Sequence, residues 1–96
     1  MNKEIFMKYI SRFVKETNIS LLDMQEYNEY ILFSIRYDEK IDEPVGFYMK
    51  YFYNTSLITF YGHEYKLPLD SDGKIEYDTF KNSMLSIRGM MKDIDF

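Results

Sequence analysis

The sequence predicts an α+β domain: an N-terminal helix, an antiparallel meander of three to four strands and a C-terminal helix, packed in two layers. Two observations carry that prediction. Segments 3–16 and 76–92 repeat their apolar residues every three or four positions, the period of one helix face. Between them, segments 30–37, 45–53 and 57–66 are rich in aromatic and β-branched residues and are broken by turn-forming ones, the pattern of strands joined by short connections.

The chain has 96 residues, enough for one domain spanning 1–96 with a small core, burying roughly 60–65% of its unfolded surface. With 46% hydrophobic and 29% charged residues, the composition is that of a globular protein. There is no cysteine, which excludes disulfides and thiolate metal sites and suits a reducing compartment. The start, MNKEIFMKYI, mixes charged with apolar residues and does not read as a signal peptide. No run nears the roughly 18 apolar residues that cross a bilayer. A cytoplasmic protein with no membrane partner is expected. Alanine is missing altogether, whereas residues with AT-rich codons abound, which points to a low-GC bacterium or one of its phages. Part of the aromatic content is therefore genomic bias.

In KEIFMKYISRFVKE, Ile5, Phe6, Tyr9, Ile10, Phe13 and Val14 share one helical arc, opposite Lys8, Arg12 and Lys15. Residues 18–29 fit either a helix opened by a Ser20/Asp23 capping box or the first arm of a hairpin turning at Asn28-Glu29. The clear strand that follows favours the hairpin. In the C-terminal helix Tyr77, Phe80, Met84, Ile87 and Met91 step by three and four, and Gly89 either ends the helix early or allows close packing.

The stretch GFYMKYFYNTSLITFYGHEY poses a register problem, because it is apolar on both faces. An even loop after Tyr53, such as Asn54-Thr55, puts Phe47, Met49 and Tyr51 on one face with Ile58 and Phe60. Tyr48, Lys50 and Phe52 then share the other face with Thr59, Tyr61 and His63. An odd loop would bury Lys50 among apolar residues, where an unpaired charge is costly. In strand 30–37 the same division puts Ile31, Phe33 and Ile35 inside and Tyr30, Leu32, Ser34 and Arg36 outside. Two helices side by side can cover the core face and leave the Tyr-rich face open. One helix on each face would instead make both faces core.

The motifs exclude more than they assign. DSDGKIEYDTF resembles the middle of an EF-hand loop, with Asp70, Asp72 and Gly73 in place. Pro68 and Thr79 stand where the first and twelfth ligands belong, so no metal is expected. His63 is the sole histidine and has no second metal-binding partner. Neither a nucleophile motif nor a phosphate loop is present, so neither a cofactor nor catalysis is expected.

Two surfaces remain as candidates. Tyr48, Phe52, Tyr61 and Tyr65 would form a protein-binding face, since tyrosine joins contact area to a polar tip. Asp38, Glu39, Asp42 and Glu43 would form an acidic rim that steers a basic partner. In size, composition and element order the chain is similar to several phage inhibitors, including some anti-CRISPR proteins. That likeness implies a small acidic inhibitor or modulator of another protein, anti-CRISPR-like or immunity-like, with a homodimer also compatible. The alternative is a single-stranded nucleic-acid binder, stacking bases on the same face with help from Lys8, Arg12 and Lys15. The net charge of −4 argues against it.

Overall fold

Asn2 starts the first helix. Its side-chain oxygen accepts the Ile5 N–H at 2.9 Å, a donor that the first turn leaves without an intrahelical partner, and its carbonyl accepts the Phe6 N–H at 3.1 Å as the first bond of the helix. In the computed structural model, which describes residues 1–17, 19–36 and 47–92, seven elements follow in order. They are α1 (Lys3–Thr17), β1 (Ser20–Glu26), β2 (Tyr30–Arg36), β3 (Phe47–Phe52), β4 (Leu57–Phe60), β5 (His63–Lys66) and α2 (Tyr77–Lys92). The acidic candidates Asp38, Glu39, Asp42 and Glu43 lie outside the described residues.

The five strands pair antiparallel in chain order, β1-β2-β3-β4-β5. β1 and β2 form the hairpin expected at Asn28-Glu29, closed by the Tyr27 N–H donating to the Tyr30 carbonyl at 2.9 Å. Leu21 and Met24 are three residues apart and could not share a face in a regular strand. A bulge between Leu21 and Asp23 takes up the extra residue, so Leu21 pairs with Ile35 and Met24 with Phe33, both on the core side.

β3 and β4 pair Phe52 with Leu57 and Tyr51 with Ile58. Their loop encloses residues 53–56, an even number, as the register argument requires. It is two residues longer than Asn54-Thr55 alone, and Ser56 takes a φ of 54° within it.

Segment 57–66 departs from the expected single strand. At Tyr61-Gly62 both residues have positive φ, 48° and 81°, the backbone of a tight two-residue hairpin turn. The chain reverses there, Phe60 pairs with His63 and Ile58 with Tyr65, and a fifth strand results. His63 and Tyr65 consequently fall on the core side of the sheet instead of the Tyr48 side. Tyr65 packs partly buried against the core, and the exposed His63 ring stacks on Phe60 at 5.8 Å.

Both helices cover the same sheet face. From α1, Phe6, Ile10 and Phe13 are buried; from α2, Tyr77, Phe80, Met84, Ile87 and Met91 are. They meet Ile31, Phe33, Ile35, Met49, Tyr51, Ile58 and Phe60 from the sheet. Phe6 lies at the centre, stacked on Tyr51 at 4.4 Å and edge-on to Phe80 at 5.9 Å. Each such side chain contributes about 1.5–3 kcal/mol by leaving water. Ile5, expected on the buried arc, is 40% exposed, because it lies at the edge of a stripe that Phe6, Ile10 and Phe13 already fill. Gly89 neither ends α2 nor allows a close approach. The helix continues to Lys92, and a Cβ at Gly89 would meet nothing within 4 Å.

Candidate functional site

With the helices on one side, no described element covers the opposite face of β3–β5. β3 presents Tyr48, Lys50 and Phe52; β2 adds Tyr30 and Leu32, paired opposite Phe52 and Lys50. Thr59 of β4 lies beside Lys50, and Glu64 of β5 lies beside Thr59. Tyr48 is 49% exposed and Tyr61 47%, far more than a core role would leave. Ser34 of β2, paired with Tyr48 on this side and expected outside, is buried.

Two aromatic groupings build the surface. Tyr27 stacks on Tyr30 at 4.8 Å and Tyr30 meets Phe52 at 5.3 Å, with the Lys50 ammonium 5.2 Å from the Tyr30 ring centre. The rings pack against one another, and side chains already placed by their neighbours lose less entropy when a partner docks. The second grouping surrounds the β4–β5 turn. β4 stops at Phe60 while β3 continues past it, and the Tyr61 side chain enters the vacated place. Its ring meets Phe47 edge-on at 5.9 Å, and its hydroxyl accepts the Tyr48 N–H at 3.3 Å. A depression of about 320 Å³ opens beside it, lined among others by Leu32, Tyr48, Lys50, Thr59, Tyr61 and Glu64. Apolar floor, aromatic walls, one cation and one carboxylate make a surface suited to hydrogen-bonded docking.

Of the proposed contact residues, Tyr48, Phe52 and Tyr61 border this face. Tyr65 does not, since the reversal at Tyr61-Gly62 turns it to the other side. Glu64 takes a place on the open face that sequence reasoning missed. The available signal was Gly62, which marks a two-residue hairpin turn between alternating strands.

The basic residues of α1 lie on the far side of the molecule. The Arg12 guanidinium sits 3.9 Å above the Tyr77 ring and pairs with Glu16 at 3.0 Å; Glu16 also reaches Lys81 of α2 at 3.7 Å. Burial, and then the adjacent Glu16 carboxylate, push the Tyr77 hydroxyl up to about 12. Among the described residues the hydroxyl has no partner in good hydrogen-bonding geometry. Tyr77, together with Lys81 and Arg12, holds the Glu16 carboxyl below its usual range. This cluster ties α1 to α2. Lys8, Arg12 and Lys15 therefore cannot join the Tyr48 face in one continuous site.

In the DSDG segment the Asp70 carboxylate accepts the Asp72 and Lys74 N–H groups, each at 2.9 Å. Gly73 takes a φ of 74°, and its N–H donates to the Asp70 carbonyl at 3.0 Å. Asp70 thus organises the turn that leads toward α2. Among the described residues, no group of three or more His, Cys, Asp or Glu side chains is placed to hold a metal ion, and no helix is long and apolar enough to cross a membrane. Comparison with known proteins found no match among protein-family models, curated proteins or solved structures.

Proposed function

We propose that this is a non-catalytic domain that binds another protein through the open face of β3–β5 and thereby inhibits or modulates it. The observation that carries this reading is Tyr61. A non-glycine residue with φ near 50° costs roughly 1–2 kcal/mol, and Asn or Gly meets that cost far more cheaply. Here the strained position holds a large aromatic that is 47% exposed. The turn demands this backbone but not an aromatic side chain on it, and a residue kept at such a cost points to a use for its side chain. Tyr48 and Phe52 extend the contact, with Lys50 and Glu64 as its charged groups. A cysteine-free chain suits work in the cytoplasm, and an inhibitor of phage or mobile-element origin fits its size and composition.

Capture from a low-GC bacterial lysate, followed by mass spectrometry, tests the reading. The wild-type chain should retain one protein that Tyr48→Ser and Tyr61→Asn lose. Lys8→Glu, on the helical side, should keep it. Equal capture by all four chains would place the binding surface elsewhere.

A further inference from the structure

The open face carries charges arranged to complement themselves. Lys50, Thr59 and Glu64 stand side by side on β3, β4 and β5. With neighbouring strands about 4.8 Å apart, the Lys50 and Glu64 backbones lie about 10 Å from each other. Both side chains are exposed, and among the described residues neither forms an ion pair. A cation and a carboxylate placed symmetrically about a central strand meet the requirement of an isologous contact, in which each patch docks on its own copy.

We propose that the face docks a second copy of this chain, related by a two-fold axis that runs parallel to β4 above Thr59, midway between the two sheets. Rotation about that axis carries Lys50 of one copy over Glu64 of the other, and the reverse, so two identical ion pairs flank the centre. The two sheets then lie face to face with their strands aligned, a common packing of sheets. Tyr48, two residues along β3 from Lys50, comes over the opposite Gly62. Gly62 has no side chain to obstruct the ring, and no atom lies within 4 Å of where its Cβ would be. A patch confined to parts of three strands is small for a permanent interface, and the dimer should be weak, on the order of micromolar to tens of micromolar. It shares its face with the proposed partner, so dimer and complex exclude each other; the dimer itself does not depend on that partner.

Sedimentation equilibrium on the full chain, from micromolar to millimolar, tests the proposal. The wild type should move from monomer to dimer across that range. Lys50→Glu and Glu64→Lys should each weaken self-association at least tenfold, because each creates two like-charge contacts. An equimolar mixture of the two variants should dimerise again. In the mixed dimer the introduced carboxylate of one chain faces the introduced ammonium of the other, and the native Lys50 and Glu64 form the second pair. Circular dichroism of both variants confirms that they are folded. A wild type that is monomeric at millimolar concentration, single variants that associate as it does, or a mixture that stays monomeric would each overturn the proposal. Sedimentation of the pure chain contains no heterologous partner, so its outcome is read independently of the capture experiment.

Discussion

The Tyr48 amide donates to the Tyr61 hydroxyl at 3.3 Å, so a side chain completes the ladder where β4 has ended. The bond is exposed, and water can replace it at little cost. The left-handed backbone of Tyr61 is the larger energetic term. Tyr61→Asn should leave stability unchanged or raise it by up to about 1 kcal/mol, with relief of strain offsetting the lost contact to Phe47. Urea denaturation measures this. A loss above about 2 kcal/mol would show that the ring is held for folding and remove the main support for a binding role.

The two faces of β3 and β4 should respond differently to truncation. Phe60 is 2% exposed, and Phe60→Ala should cost about 3–5 kcal/mol through lost burial and the cavity left behind. Tyr48→Ser, on the open face, should cost about 1 kcal/mol or less. Equal losses in chemical denaturation would mean that the Tyr48 face is covered.

Gly89→Ala should stabilise the protein. The residue is exposed within α2 and its Cβ position is empty, so alanine gains roughly 0.5–1 kcal/mol of helix propensity without a clash. A higher thermal midpoint is the expected result; a lower one would point to packing against Gly89 that the fold does not contain.

Tyr77 predicts alkaline sensitivity. Its pKa is raised from the ordinary 10.0 to about 12 in the folded state, so the unfolded chain releases this proton first as pH rises. The corresponding stability is fully present below about pH 10 and is lost as pH climbs toward about 12. Tyr77→Phe should flatten the fall of stability between these values in pH-dependent urea titrations. An unchanged slope would assign the alkaline loss to other groups.

The helices and the division of β2 and β3 into two distinct faces were legible in the sequence, and the hairpin at Asn28-Glu29 was the favoured of two readings for residues 18–29. Each rests on a local constraint: the period of a helix, the alternation of a strand, or the cost of burying Lys50. Even the register across residues 53–56 followed, because a one-residue slip would turn every side chain in β4 to the wrong face. The tertiary structure decided what alternation could not. Segment 57–66 reads as one strand, because the alternation continues across Tyr61-Gly62 with aromatic residues on both sides. Reversal there gives the sheet its fifth strand, moves His63 and Tyr65 to the core side and puts Glu64 next to Thr59. The same holds for the side on which the helices pack. Both apolar stripes were evident, but a stripe does not specify which sheet face it covers. Phe6 and Phe80 packing against each other as well as over the sheet put both helices on one side, and that left Tyr48 exposed.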